Sequence, residues 1–401
     1  MLRTAPRGMR LHISIFGKRN TGKSSLLNAL TRQSVSIVSD RAGTTTDPVE
    51  KPMELLPLGP VMFIDTAGID DRGDLGEMRV ARTRKVFERT DIGVLVARAD
   101  AWDDYEEQVL ADLERFGSRR VVVFNHADRA RPGPELLARL AERGLPHAVT
   151  AAPEGRGIED LREALVEAAP AEFIETPSIL GDLVEPGALV VLVVPIDLEA
   201  PKGRIILPQV QVIRDLLDQE CAALVVKEKG LPAVLAGLRE APALVVTDSQ
   251  AFAEVERALP PAVPLTSFSI LFARFKGDLA EFARGARTLD ELREGDRLLV
   301  CEACTHHPIE DDIARVKLPR WLRDYTGLNL EIDYVQGHDF PEELGPYRLV
   351  IHCGSCVLNR REVLSRILFC RRQQVPITNY GMAIARTLGI FDRALAPFAL
   401  G

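Results

Sequence analysis

An alternating apolar run, Leu11-His12-Ile13-Ser14-Ile15-Phe16, meets Gly17-Lys18-Arg19-Asn20-Thr21-Gly22-Lys23-Ser24 and passes directly into Ser25-Leu26-Leu27-Asn28-Ala29-Leu30. A strand, a GxxxxGKS loop and a helix in that order leave few folds open. The glycines let the loop turn back on itself, so that its backbone N–H groups can surround phosphates. Lys23 then reaches the β- and γ-phosphates, and the Ser24 hydroxyl is placed for Mg²⁺. Gly17, Asn20, Thr21, Gly22, Lys23, Ser24 and Ser25 are therefore candidate nucleotide-binding residues, at the carboxyl end of a buried strand.

The following segments come in the order that a GTP switch needs. Arg41-Ala42-Gly43-Thr44-Thr45-Thr46-Asp47 is a polar loop offering a threonine to Mg²⁺. Motif alignment selects Thr45. The apolar run at residues 61–64 leads into Asp65-Thr66-Ala67-Gly68, where Asp65 belongs near the metal and the Gly68 N–H can sense a γ-phosphate. Further strand-like runs lie at residues 92–96 and 120–124, the second ending in Asn125-His126-Ala127-Asp128. The Asp128 carboxylate would accept from guanine N1 and N2, donors that adenine does not present together. Thr150 and Ala151 stand where a backbone N–H meets guanine O6.

These five ordered motifs resemble the translation-factor-like GTPases related to Era and TrmE, over residues 1–172. The resemblance implies catalytic roles for Lys23, Thr45, Asp65 and Gly68, base and phosphate contacts by the residues above together with Asn125, and Mg²⁺ on Ser24 and Thr45. It also aligns Asn20 with the asparagine that holds K⁺ in the potassium-activated branch. The chain departs from the family at His126, where lysine is usual. Ile69 stands where other GTPases carry a water-positioning glutamine, and no arginine finger is evident. Slow hydrolysis is therefore expected, with K⁺ supplying charge in place of an arginine.

A chain of 401 residues exceeds one ordinary core and suggests roughly two to three domains. With 46% hydrophobic and 27% charged residues it reads as globular. A net charge of −8 gives no general attraction to nucleic acid or anionic lipid. The longest apolar run, at residues 188–196, is broken by Pro195 and is far short of the ~18 residues that span a bilayer. Residues 1–10 are basic with no signal-type apolar core after them; they read as a short mobile arm, and the protein as cytoplasmic. Six cysteines in such a chain point to metal binding or catalysis in a reducing compartment rather than to disulfides.

Beyond residue 172 the pattern alternates strand and helix twice more. Residues 173–262 carry strand-like runs at 189–194, 222–226 and 244–247, with another at 264–268, and helical patterns at 210–220 and 231–240. This reads as a small parallel sheet whose Cys221 is a buried structural thiol. A sheet edge or apolar face used for dimerisation is expected, and residues 197–211 read as a long loop. Residues 263–401 hold strand-like runs at 297–300, 328–334, 349–351 and 376–378, with helical patterns at 309–325, 360–372 and 381–388. The fold class expected is thus α/β: a P-loop GTPase domain followed by two smaller parallel-sheet α/β domains.

Two thiol–imidazole clusters follow strands of this last section. Cys301-Glu302-Ala303-Cys304-Thr305-His306-His307 comes after one strand, and His352-Cys353-Gly354-Ser355-Cys356 after another. Sites in open parallel sheets form beyond the carboxyl ends of strands, so both clusters are expected in one crevice, with Thr378-Asn379-Tyr380-Gly381 as a further wall. Thiolates grouped in this way favour zinc or an iron–sulfur centre. Two CxxC pairs suggest a four-thiolate zinc site, but 48 residues separate Cys304 from Cys353, far more than in compact zinc ribbons.

The pattern CxH…HCxxC, with the GTPase motifs and the stretches at residues 201–211 and 267–278, resembles the FeFe-hydrogenase maturation GTPase family, HydF, over the full chain. The resemblance implies a 4Fe-4S cluster on Cys304, Cys353 and Cys356, with one exchangeable iron position. His306 and His352 are candidate ligands, or support a ligand from behind, or are core histidines. Cys301 is a spare thiol or a fourth ligand, and Cys370 a core residue. The family reading is a GTP-hydrolysing scaffold, a homodimer or higher, that receives a diiron precursor made with two radical-SAM maturases and passes it to apo FeFe-hydrogenase. The GTP state would move the loops around residues 44–47 and 65–68 and so alter docking. Two other readings compete: a ribosome- or tRNA-associated GTPase carrying zinc, and a cluster-dependent hydratase. The acidic balance and the lack of a KH-like GxxG signature weigh against the first. The lack of a nearby serine–base pair weighs against the second.

GTP turnover measured at equal ionic strength is expected to be faster in KCl than in NaCl; equal rates would remove Asn20 as a K⁺ ligand.

Overall fold

In the computed structural model the chain divides into two compact units, Met1–Thr176 and Pro177–Gly401. The structure describes residues 10–32, 49–55, 58–66, 85–170, 178–195, 205–303, 313–355 and 357–398.

The first unit is built on a six-stranded sheet of order β2-β3-β1-β4-β5-β6. Its strands are β1 (Leu11–Phe16), β2 (Val49–Leu55), β3 (Gly59–Asp65), β4 (Ile92–Arg98), β5 (Arg119–Asn125) and β6 (His147–Val149). All pairings are parallel except that of β2 with β3. The continuous apolar stretches of β4 and β5 are what a strand covered on both faces requires. The helices are α1 (Lys23–Arg32), α2 (Asp104–Arg115), α3 (Pro134–Glu142) and α4 (Ile158–Ala168). Leu26, Leu27, Ile158 and Leu165 fill one buried cluster, whereas Val109, Leu110, Leu113 and Leu140 fill another. The edge strand β2 lacks an obvious signature in sequence because it carries Pro52 and three charged or polar neighbours; an edge position tolerates both.

The second unit holds two four-stranded parallel sheets. One has the order β10-β9-β7-β8 and the other β12-β11-β13-β14. Their strands are β7 (Leu189–Val193), β8 (Ala222–Val226), β9 (Leu244–Thr247), β10 (Leu265–Ser267), β11 (Arg297–Glu302), β12 (Glu331–Gln336), β13 (Leu349–His352) and β14 (Ile377–Asn379). The α-helices are α5 (Leu207–Asp218), α6 (Leu231–Gly237), α7 (Phe252–Ala258), α8 (Phe268–Lys276), α9 (Leu279–Arg287), α10 (Leu318–Thr326), α11 (Arg360–Arg372), α12 (Tyr380–Thr387) and α13 (Phe391–Leu395). One buried cluster runs from Val191 and Val245 of the first sheet to Leu299 and Ile351 of the second, so the two sheets share a core. Each fully buried aliphatic side chain there contributes roughly 1.5–3 kcal/mol. Among the described residues no helix is long and apolar enough to cross a membrane.

Three local outcomes differ from the pattern in sequence. The stretch read as a loop to residue 211 becomes helical at Leu207, where Pro208 sits in the first turn and Gln209 Oε1 accepts from the Ile206 N–H at 3.1 Å. The helix anticipated over 309–325 is described from Ile313 as a π-turn that gives way to α10 at Leu318, with Pro319 in its first turn. The strand β10 lies past residue 262 and pairs with β9, so the first sheet of this unit continues to Ser267. Cys221 and Cys370 are both buried.

The connections set where a ligand can sit. From β1 the chain runs to β2 and β3 on one side, and from β4 to β5 and β6 on the other. From β11 it runs to β12, and from β13 to β14 on the opposite side. A crevice opens at the carboxyl ends of strands at such a reversal. The first unit therefore has its crevice at β1 and β4, and the last sheet at β11 and β13.

Gly285 tests the packing of this last sheet. A Cβ there would lie 2.0 Å from the carbonyl oxygen of Ile377 in β14, a backbone atom with no freedom to swing aside. Gly285→Ala is expected to lower stability by about 2 kcal/mol or more, read as a fall in the urea midpoint. Gly237→Ala, which meets nothing within 4 Å, is expected to stay within about 0.5 kcal/mol.

Candidate functional site

The phosphate loop follows β1, and α1 begins at Lys23. Gly17 has φ +147°, and a Cβ there would lie 2.2 Å from the Val96 carbonyl oxygen of β4; only glycine lets the loop close this tightly on the neighbouring strand. Gly22 has φ +84°, with Asn125 Nδ2 2.2 Å from where its Cβ would be. Lys23 is buried. Its ammonium donates to the carbonyl of Gly17 and, at 2.9 Å, to that of Lys18. Ser24 Oγ donates to Asp65 Oδ2 at 3.3 Å, which brings together the two residues expected to flank Mg²⁺. Thr45 and Gly68 lie outside the described residues.

The base loop is tied to the phosphate loop by two successive residues. Asn125 Nδ2 donates to Thr21 O at 3.0 Å, and His126 Nε2 stands 3.3 Å from Asn20 O. Both His126 (φ +63°) and Asn20 (φ +64°) are left-handed, so the place where lysine is usual holds an imidazole against the loop. Asn125 Oδ1 accepts from Thr150 Oγ1 at 3.1 Å and from the Ala152 N–H at 3.2 Å. One buried amide thus joins three segments. The Ala151 N–H donates to Arg156 O at 3.0 Å, so a guanine O6 arriving here would share or displace that bond. Asp128 keeps its side chain 35% exposed, with Arg129 Nε 3.6 Å away, free to meet a base. Ser25, Asn28 and Ala29 of α1 face residues 152–155 across a cleft of about 420 Å³.

In the second unit Cys301 of β11 stands in register with His352 of β13. The Cys353 N–H donates to Cys301 O at 2.9 Å, carrying the ladder one step past the strand end. The Ala303 N–H, beside Cys304 in sequence, donates to Cys353 Sγ at 3.1 Å, and the Ser355 N–H reaches the same sulfur at 3.5 Å. Two backbone N–H groups thus converge on this sulfur. Cys304, His306 and Cys356 lie outside the described residues. Among the described residues no group of three His, Cys, Asp or Glu side chains is arranged to hold a metal ion. The described part of the site is thus a half-buried Cys353 thiol with two N–H donors at the reversal crevice, a soft donor of the kind that thiolate-held clusters use.

His352 is buried and both ring nitrogens have partners. Arg366 Nη1 donates to Nε2 at 2.8 Å, which puts the proton on Nδ1, 3.0 Å from Cys353 O and from Ser355 Oγ. Burial and the Arg366 charge push its pKa down to about 3, so the ring is neutral. Arg366 is held in turn by Glu362 at 2.9 Å and by Gly337 O at 2.7 Å, and Glu362 accepts from His338 Nδ1 at 2.9 Å. Cys301 is fully buried, and desolvation pushes its thiol up to about 12. Sequence reading had no signal for Arg366, Glu362 or His338; they sit on α11 and after β12, and only the fold brings them to His352.

Two family models cover the second unit: the hydrogen maturase F dimerization domain matches residues 179–277, and the hydrogen maturase F tetramerization domain residues 280–397. A third, the 50S ribosome-binding GTPase, matches residues 12–126. GTPase Der of Wolinella succinogenes is 38% identical over 167 residues, 39% of this chain and 35% of its own length. The tRNA modification GTPase MnmE of Streptococcus pyogenes is 38% identical over 133 residues, 32% of this chain and 29% of its own length. The chain thus spans about a third of the length of these curated relatives. Among solved structures, Era of Aquifex aeolicus bound to GDP.AlF4- is 20% identical, with 56% of this chain and 97% of that one covered and a TM-score of 0.33. The G domain of the T. maritima FeoB iron transporter is 21% identical, with 40% and 98% covered and a TM-score of 0.32.

Asn125→Ala would leave the Thr21 carbonyl and the Ala152 N–H without their partner. It is expected to weaken binding of a fluorescent GDP by roughly tenfold or more, at about 1–3 kcal/mol per orphaned buried group; unchanged affinity in an equilibrium titration would contradict it.

Proposed function

Since the chain belongs to the hydrogen maturase F family and carries a GTPase domain, we propose that it is a GTP-hydrolysing scaffold of FeFe-hydrogenase maturation. It binds a 4Fe-4S cluster and passes a diiron precursor to apo-hydrogenase. The observation that carries this reading is the pairing of two reversal crevices in one chain. One holds Lys23, Ser24, Asp65 and the Asn125 bridge; the other holds Cys353 beneath the Ala303 N–H.

In the first crevice Lys23 and the loop N–H groups bind phosphates, Ser24 with Thr45 holds Mg²⁺, and Asp65 steadies the metal from beside Ser24. Asp128 selects guanine. Lacking a glutamine at Ile69, hydrolysis is slow, and Asn20 recruits K⁺ to offset charge. In the second crevice Cys304, Cys353 and Cys356 hold the cluster, which when bound supplies one exchangeable iron position for cargo. His352, with both nitrogens occupied, fits support of the Cys353 backbone better than ligation, which leaves His306 as the imidazole candidate for that position. Residues 1–172 form the GTPase domain, the dimerisation domain runs from 173 past the expected bound at 262 to include β10, and the cluster domain follows it to 401. Two radical-SAM maturases are its partners before the hydrogenase, in the cytoplasm.

Self-association is supported by the apolar surface around the sheet edge at β8. Val225 on that strand is 48% exposed, and Val210 and Leu217 on α5 are 46% and 60% exposed. Strand edges and exposed apolar side chains of this kind are completed by a second copy.

Anaerobic reconstitution followed by iron, sulfide and zinc analysis tests the reading. About four irons and four sulfides per chain, an EPR signal on reduction, and activation of added apo-hydrogenase are expected. A colourless zinc protein would refute it.

A further inference from the structure

The helix α8 lies within the stretch at residues 267–278, and the nucleotide chemistry makes no use of it. It ends in Lys276, which is 2% exposed. A lysine is rarely buried to this extent unless its charge is met. Here Nζ donates to Ser355 O at 2.9 Å and to Leu358 O at 2.8 Å, and lies 5.7 Å from the centre of the Phe272 ring. Two carbonyl dipoles and an aromatic face solvate a cation. The two carbonyls stand on either side of Cys356 in the chain.

Ser355 is no ordinary acceptor. Its φ of +55° is a left-handed conformation uncommon for a side chain with a Cβ. Its N–H points to Cys353 Sγ, and its hydroxyl bonds to His352 Nδ1. A second tie joins α8 to the start of α11: Arg360 Nη1 donates to Phe275 O at 2.6 Å. At the other end of α8, Asn379 Nδ2 donates to Ser269 O at 2.9 Å, and the Gly381 N–H donates to Ser269 Oγ at 3.1 Å.

We propose that Lys276 is a positioning residue of the thiolate site: its buried ammonium holds the backbone on both flanks of Cys356 and places a fixed positive charge beside the thiolate-bearing loop. The proposal rests on the cluster reading given above. Three thiolates on a 4Fe-4S core leave a net negative charge that grows on reduction. A cation fixed nearby favours the reduced form and raises the reduction potential. Partners behind a ligand also govern how long the metal stays.

The test uses the full-length chain, reconstituted anaerobically, as wild type, Lys276→Met, Lys276→Gln and Lys276→Arg. Lys276→Met keeps much of the aliphatic stem without the charge. It is expected to release iron to a ferrous chelator about ten- to hundredfold faster, to show a more negative midpoint potential, and to change the EPR g-values of the reduced cluster. Lys276→Arg restores the potential toward wild type. Gel filtration and thermal melting establish that each variant is folded, and should Lys276→Met fail to fold, Lys276→Gln carries the same comparison with a neutral donor. A folded neutral variant whose iron release, potential and g-values all equal those of wild type overturns the proposal. If the wild type itself takes up zinc and no cluster, the cluster reading falls, and this proposal with it.

Discussion

The thiol crevice of the second unit is organised around one backbone hydrogen bond. The Cys353 N–H to Cys301 O contact continues the parallel β11–β13 ladder one residue past its last paired strand position. It fixes the height at which the two thiol-bearing segments leave the sheet. Parallel pairing has a direction, so adjacent strands deliver their following loops to the same edge. Because the chain moves away from β11 and β13 in opposite directions, a crevice opens at that edge. The Ala303 N–H can then reach the Cys353 sulfur.

The same construction appears in the first unit with different chemistry. At the reversal between β1 and β4 the loop glycines allow backbone to approach backbone, as Gly17 does beneath Val96, and the freed N–H groups suit an anion. At the reversal between β11 and β13 the loops carry cysteines instead, and the N–H groups are turned toward sulfur. Two crevices of one type thus offer the chemistry for phosphate in one and for thiolate in the other. What distinguishes them is the charge brought behind the loops. Lys23 reaches into its loop and meets carbonyls of the loop itself. Lys276 comes from a helix 79 residues before Ser355 and meets its backbone, and Arg366 comes from the helix that follows β13 and meets the His352 imidazole.

Buried charge is tolerated in the second unit because each group is closed into a network. Arg366 is matched by Glu362, Gly337 O and the neutral His352 ring, and removing one member would leave the others desolvated and unmatched. In the first unit, buried Asn125 has the corresponding place: a neutral amide holding the phosphate, base and Thr150 segments in register.

How much of this was readable in the chain differs by residue. Gly17 to Ser24 carry their geometry in their own order, because a strand, glycines and a helix start are local properties. The strand β1 followed from its alternating run into the glycine loop, and β3, β4, β5, β11 and β13 from largely apolar runs, since parallel strands buried on both faces need no alternation. The edge strand β2 did not, because Pro52 and its charged neighbours erase the pattern. Cys353 could be singled out by spacing, but the Ala303 N–H on its sulfur could not. Nor could the imidazole of His126 against Asn20 O, or the engagement of both His352 nitrogens. The sequence by itself determined which residues have the chemistry for phosphate, guanine and thiolate ligation, because those depend on side-chain type and short spacing. Only the tertiary structure decided which buried cations stand behind them: Lys276 meets Ser355 and Arg366 meets His352 through packing of α8 and α11 on the sheet, and such long-range contacts leave no periodic trace in a single chain.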